Sequence, residues 1–135
     1  METRPYFVAG DLAANVVAGA IVGMLLAMLF GVDWNMFLAM VVGMVLGMVI
    51  SLPFAFGLSA LFGAMETMLP VMTTGMVAGM VVSMVASMQS PMEAALQPFG
   101  AIEGAQHGAI VGVGVFVVTY ILNAIIKPRA AKWTK

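Results

Sequence analysis

The feature that most constrains this chain is a series of four apolar stretches, each long enough to cross a lipid bilayer. A membrane helix needs about 20 mostly apolar residues to cross roughly 30 Å of hydrocarbon. The stretches predict spans at approximately 11–30, 36–62, 68–88 and 105–126. Of the 135 residues, 63% are hydrophobic and 8% are charged, which leaves too little polar surface for a water-soluble domain. We therefore predict an all-α integral membrane protein, with residues 1–135 forming a single membrane domain.

The five basic residues all lie in the two tails, at Arg4 and within 127–135. Four spans place both tails on one side of the membrane, and the positive-inside rule assigns that side to the cytoplasm. The loops on the other side carry Asp33, Glu93 and Glu103 and no base. We expect a bacterial inner-membrane protein with both termini cytoplasmic.

Composition excludes several classes of function. A net charge of -1 with five Lys and Arg residues provides no basic surface for nucleic acid. The absence of cysteine excludes thiolate zinc sites, iron–sulfur ligation and thiol nucleophiles. The single histidine, His107, leaves no acid–base or nucleophile constellation. We predict that the chain is not an enzyme and binds no nucleic acid.

Small residues recur at every fourth position of each span. This small-xxx-small pattern allows helix backbones to approach closely in lipid, where hydrophobicity does not drive helices together. It predicts a tightly packed four-transmembrane-helix bundle. The rows are Gly19, Gly23, Ala27 and Gly31; Ala39, Gly43, Gly47 and Ser51; Gly75, Gly79, Ser83 and Ser87; and Gly104, Gly108 and Gly112.

The second and third spans are copies of one another, shifted by 32 residues. Between 36–51 and 68–83, nine of sixteen positions are identical, which indicates an internal repeat. Consecutive spans run in opposite directions, so the pattern predicts an inverted repeat of the kind found in transporters. We expect Thr67 to cap the third helix, with Pro70 in its first turn.

Methionine follows many of the small residues by one position, and it recurs without a gap from Met68 to Met92. A thioether is a soft, neutral donor that suits Cu(I) and suits hard cations poorly. The rows therefore predict a Cu(I) site, and imidazole would join it at the outer mouth. The candidate ligands are Met40, Met44, Met48, Met72, Met76, Met80, Met84, Met88, Met92 and His107.

Other interpretations of these residues stay open. Methionine is also a flexible filler of irregular apolar gaps. Glu103 and His107 are four residues apart, and for them we favour an ordinary interfacial pair at a helix start. For Asp11 and Glu66 we favour capping or solvation at the interface, with a proton-coupled role as the alternative.

An MxxxM row in one membrane helix beside a GxxxG row in another resembles the eukaryotic Ctr-type copper transporters. That resemblance implies intramembrane methionines for Cu(I) and glycine rows for packing. The likeness is confined to these motifs: this chain has four predicted spans instead of three, and it lacks a Met-rich outer domain and a His/Cys tail.

Three functions follow as hypotheses. The leading one is a membrane protein that transports or buffers Cu(I) through its methionine rows. The first alternative is a small accessory subunit of a larger membrane enzyme complex, in which methionine only fills grooves. The second alternative is a homo-oligomeric pore, since glycine rows also drive self-assembly. We expect a lipid bilayer as the surroundings, and either a homo-oligomer or a larger membrane complex as the assembly.

Overall fold

The computed structural model describes residues 5–62 and 64–130, with side chains described for 8–57 and 68–126. This part of the chain is helical. The elements are α1 (Pro5–Leu29), α2 (Met36–Phe62), α3 (Ala64–Met88), the short α4 (Pro91–Leu96) and α5 (Ala101–Ala130). Four of them contain segments long and apolar enough to cross a membrane: Val8–Leu29, Met36–Gly57, Met68–Met88 and Ala101–Ile126. The prediction of an all-helical protein with four such helices is confirmed.

The helix limits differ from the predictions in places. The bounds predicted for the second helix are those of α2, but α3 begins at Ala64. Thr67 therefore lies inside α3, and its prediction as the cap is wrong. Pro70 also lies within the helix, because an apolar environment favours continued backbone hydrogen bonding over an open end. Helix α5 begins at Ala101, before the predicted start at residue 105, and continues past Pro128 to Ala130.

Two helix starts are fixed by side-chain caps at the membrane surface. Asn35 Oδ1 accepts the backbone N–H of Phe37 at 3.0 Å, which satisfies one of the free donors at the start of α2. Ser90 and Glu93 form a reciprocal capping box at the start of α4. The loops that join the spans therefore have defined turns.

The contact between α2 and α3 is made backbone to backbone. A Cβ atom added to any of Gly43, Gly47, Gly75 or Gly79 would collide with a carbonyl oxygen of the facing helix. Gly43 lies against Gly79, and Gly47 lies against Gly75, so the two helices are antiparallel. Only glycine permits this approach, because any side chain would separate the helices.

The 32-residue repeat generates this contact. Adding 32 to Gly43 and subtracting 32 from Gly79 gives Gly75 and Gly47, which is the other contact pair. The same operation relates the contact of Ser51 with Gly75 to that of Ser83 with Gly43. The predicted inverted repeat thus corresponds to a local two-fold axis perpendicular to α2 and α3.

The pair α1 and α5 is built in the same way. Gly19 lies against the backbone of Gly108, and Gly23 lies against Gly104. Further along, Gly112 lies against the backbone of Asn15. These contacts make α1 and α5 antiparallel, so the fold consists of two antiparallel pairs, each held by glycine.

The two pairs pack mainly through the residues that precede individual members of the small rows. Val22 and Leu26 of α1 form one buried cluster with Ala78 and Val82 of α3, and the row members Ala27 and Ala39 belong to it as well. Within the described residues α1 and α3 lie at the centre, while α2 and α5 lie at the sides and do not touch. The outer surface carries exposed aliphatic and aromatic side chains along the spans, as expected for a surface that faces lipid.

We predict that Gly79→Ala destabilises the protein although alanine is the better helix former. Helix propensity alone favours alanine by about 1 kcal/mol. The added methyl would meet the Gly43 carbonyl, and overpacking of this kind costs about 1–3 kcal/mol. Reversible unfolding in mixed detergent micelles measures the net effect.

Gly114→Ala is the matched control, because nothing lies within 4 Å of a Cβ at that position. It should leave the free energy of unfolding unchanged or raise it. Equal stability of both variants would mean that the α2–α3 contact is not as close as described.

Candidate metal-binding site

The methionine rows of α2 and α3 lie on the same side of the α2–α3 pair. Successive residues of an α-helix are separated by about 100°, so the residue after each contact glycine lies on one flank and the residue before it on the other. A two-fold axis perpendicular to an antiparallel pair keeps equivalent flanks on one side. The methionine row of α2 and the methionine row of α3 therefore lie side by side, one on each side of the glycine contact.

We call this surface the methionine flank, and we define it by its six residues: Met40, Met44 and Met48 of α2 and Met76, Met80 and Met84 of α3. The glycine contacts place residues of α2 and α3 at approximately the same depth when their numbers sum to about 122–126. Met44 is then level with Met80. The other two pairs follow on either side, so the flank carries two columns of three thioethers.

The methionine flank faces away from the rest of the bundle. The opposite side of α3 is completely covered: Ala78 and Val82 are 0% exposed, because they pack against α1. The methionines at 76, 80 and 84 are half-buried, and Met48 is 39% exposed. Among the described residues, no helix covers this flank.

The two ends of the α3 row have different surroundings. At one end, Met68 and Met72 pack against a buried cluster that includes Ala18 and Val71. At the other end, Met88 is 62% exposed and lines a cavity. The row winds around α3 between these positions, since each step of four residues turns it by about 40°.

The methionine series from Met68 to Met92 is divided between two helices. Helix α3 ends at Met88, and Met92 belongs to α4, where it is 75% exposed. The Ser90–Glu93 capping box and Pro91 start a new helix there, so Met92 does not continue the series.

Only the α2–α3 pair carries methionine rows on both of its helices. Met24 and Met28 follow the small row of α1 and are 37% and 72% exposed. The corresponding positions of α5 are Ala105, Ala109 and Val113. This outer side of the α1–α5 pair therefore presents thioethers from a single helix.

A cavity of about 630 Å³ lies at the end of the bundle where α3 and α5 meet α4. The Ser90 backbone N–H and hydroxyl donate to the Glu93 carboxylate at 2.9 and 2.8 Å, and these bonds, the backbone one foremost, hold the pKa of Glu93 below its ordinary value. Besides the Met88 thioether, the groups here that could bind a metal ion are carboxylates and side-chain amides. These groups suit harder cations than Cu(I). The lining residues are Val85, Met88, Gln89, Glu93, Leu96, Gln97 and Glu103.

His107 is set apart from the methionine flank. Its Nδ1 is 2.8 Å from the backbone carbonyl of Glu103, and because a carbonyl only accepts, Nδ1 is the donor of this hydrogen bond. The ring packs against Phe99, with centroids 5.4 Å apart. The described residues contain no group of three His, Asp or Glu side chains placed to hold a metal ion.

A buried polar contact was missed by the sequence analysis. The Thr74 hydroxyl of α3 donates to Asn15 Oδ1 of α1 at 2.6 Å, and both side chains are 0% exposed. Asp11 lies one turn before Asn15 and is 7% exposed. The interpretation of Asp11 as a cap or a solvated interfacial group is wrong, since it lies inside α1 on its buried face. Glu66, treated in the same way, lies outside the described side chains.

A polar spacing could have indicated this contact. Asp11 and Asn15 are four residues apart and share a helix face. The polar partner in α3 could not be assigned from spacing, because two threonines are adjacent at 73 and 74.

Comparison with known proteins finds no matching family model, no matching curated protein and no matching solved structure.

Because the chain has no cysteine, cysteine pairs can test the methionine flank without background. We predict that Met44→Cys combined with Met80→Cys is joined within one chain by a short bifunctional thiol reagent in the membrane. Met44→Cys combined with Met24→Cys places the thiols on opposite outer sides and should not be joined. A positive result for the control pair, or none for the first, would contradict the assignment of the flank.

Proposed function

We propose that this chain is a membrane protein that binds Cu(I) through the methionine flank and carries or buffers it within the bilayer. The observation that carries the proposal is the glycine contact of α2 with α3, which places a methionine row from each helix on one flank at matching depths. A single row would offer isolated donors, whereas two columns offer sulfur atoms on both sides of the glycine contact.

The chemistry of the flank favours a soft monovalent ion. The described side chains of α2 and α3 within the spans contain no ionisable group, so no carboxylate competes with sulfur. Thioethers are neutral and are therefore less costly to bury than thiolates. Cu(I) prefers soft ligands, and Ag(I) shares this preference. Weak neutral sites at successive depths suit exchange of the ion from one to the next.

Glycine contributes indirectly to the site. The α2–α3 backbones meet at the glycines, so the residues that follow them are brought toward each other from both helices. Larger residues in the small rows would move the two columns apart. Packing and metal binding thus depend on the same four-residue period.

The proposed setting is a bacterial inner membrane with both termini in the cytoplasm. The antiparallel pairs put both termini at one end of the bundle, and all basic residues lie in the tails. By the positive-inside rule, that end faces the cytoplasm. Met88 and the cavity at the other end would then face the outside.

Replacing Met76, Met80 and Met84 together by leucine tests the proposal. Leucine keeps the apolar volume, and such swaps usually cost less than about 1.5 kcal/mol of stability. We expect the affinity for Cu(I), measured in detergent against a competing chromophoric chelator, to fall at least about tenfold, or about 1.4 kcal/mol.

Met24→Leu with Met28→Leu is the matched control, since these thioethers belong to one helix on the other outer side. Its affinity for Cu(I) should equal that of the unaltered protein. Retention of full affinity by the triple leucine variant would refute Cu(I) binding at the methionine flank.

A second candidate function is favoured by the outward position of the flank. An exposed, flexible methionine surface adapts well to an irregular partner, and the chain would then be an accessory subunit of a larger membrane complex. This function predicts a metal-free protein that purifies at a fixed ratio to a second membrane chain. Met80→Trp should break that association, whereas Met24→Trp should not, as native gel electrophoresis in mild detergent would show.

A further inference from the structure

A groove runs along the outside of the bundle between α3 and α5, in the half that carries the termini. We call it the α3–α5 groove, and we define it by Thr73 and Val77 of α3 and by the lining residues of α5 between Val111 and Leu122. Its volume is about 620 Å³. None of its described lining residues is a methionine or carries a charge, so the groove is separate from the methionine flank.

Gly114 leaves this groove open. A Cβ atom added at Gly114 would meet nothing within 4 Å, whereas Gly112, two residues earlier, lies against the backbone of Asn15. Glycine inside a helix is destabilising relative to alanine, and at position 114 no described helix contact requires it. Val118, one turn later, is 56% exposed. The groove is therefore accessible from the surrounding lipid, and the space beside Gly114 is available to a ligand.

The lining of the groove suits a hydrocarbon chain. It contains two hydroxyl groups, and each donates within its own helix: Thr73 Oγ1 to the backbone carbonyl of Leu69 at 2.7 Å, and Thr119 Oγ1 to that of Val115 at 2.7 Å. The other lining side chains are aliphatic. A hydrocarbon chain makes no hydrogen bonds, and here it would leave no hydroxyl hydrogen without an acceptor.

The length of the groove matches one leaflet of a bilayer. From Val111 to Leu122 the helix rises about 16 Å at 1.5 Å per residue, and one leaflet contributes about 15 Å of hydrocarbon. The apolar segment of α5 ends at Ile126, shortly after the groove. The groove thus follows the acyl chains of the leaflet at the end that carries the termini.

A basic residue lies on the groove face of α5 just beyond this leaflet. Helix α5 continues to Ala130, and Arg129 is seven residues after Leu122, so two helical turns bring it back to nearly the same direction. It is three residues past Ile126, or about 4.5 Å, which is the depth of the headgroup layer. Lys127 lies about 200° away from Arg129 around the helix axis.

We propose that the α3–α5 groove binds one anionic phospholipid, with an acyl chain along the groove and the headgroup at the level of Arg129. The acyl chain fills the space that Gly114 leaves. The headgroup carries the charge opposite to that of the basic end of α5, and basic residues at a membrane surface attract anionic headgroups. The proposal does not depend on Cu(I) binding.

Photolabelling of the whole protein in phosphatidylcholine liposomes tests the proposal. One sample contains a trace of phosphatidylglycerol with a diazirine in its acyl chain, and the other contains phosphatidylcholine with the same chain. We expect phosphatidylglycerol to label residues 111–122 about fivefold more, the preference that one basic residue gives. The lipid-facing surface of α2 around Val45, which is 53% exposed, should be labelled equally by both. Equal labelling of the groove by both lipids would overturn the proposal.

Two variants with matched controls separate the chain from the headgroup. Gly114→Leu fills the groove and should reduce its labelling by phosphatidylglycerol to the level of the α2 surface. Gly57→Leu adds the same side chain to α2, where a Cβ also meets nothing within 4 Å, and should change nothing. Arg129→Gln should remove the preference for phosphatidylglycerol, whereas Lys127→Gln, with the same loss of charge, should keep it. A preference that survives both Gly114→Leu and Arg129→Gln would refute the site.

A single cysteine tests whether a second copy of the chain covers the groove instead. The chain has no cysteine of its own, and Val118→Cys places a thiol on the groove. On oxidation in the membrane we expect this variant to remain a single chain on a non-reducing gel. A disulfide-linked dimer would show that another copy occupies the groove, and the proposal would be wrong.

Discussion

The structure depends on the close approach of helix backbones at glycine. In lipid, helices gain little from burying apolar side chains, so packing distance and shape decide which helices associate. Here the carbonyl oxygen of one helix occupies the place of the missing Cβ of the other, in both the α1–α5 and the α2–α3 pairs. Within each pair, these contacts set which described residues face the partner helix and which lie on the two flanks.

Each close pair has two flanks with different environments. The residues before the contact glycines of α1 and α3 are buried between the pairs: Ala18, Val22, Thr74 and Ala78. Of these four, only Thr74 is polar, and it donates to Asn15. The residues after the glycines face outward, where α2 and α3 carry methionine. The Asn15–Thr74 contact and the methionine flank thus lie on opposite sides of the α2–α3 pair.

The same logic explains why two of the candidate ligands, Met92 and His107, lie apart from the methionine flank. Helix α3 ends at Met88, where its apolar segment ends. The capping box of Ser90 and Glu93 then starts a new helix, so Met92 does not continue the row. The imidazole of His107 can bind Cu(I) as the methionines can. However, His107 lies on α5, one position before Gly108 of the small row. Its position in the helix turns it away from the flank.

The sequence by itself determined the four spans, the glycine rows and the repeat that makes α2 and α3 antiparallel copies. These features are local, since each depends on composition or on a period of four residues. Only the tertiary structure decided that α1 pairs with α5, that Asn15 meets Thr74 across 59 positions, and that the methionine flank faces away from α1. A helical period fixes which residues share a face, but the partner of that face depends on how all four helices fit together.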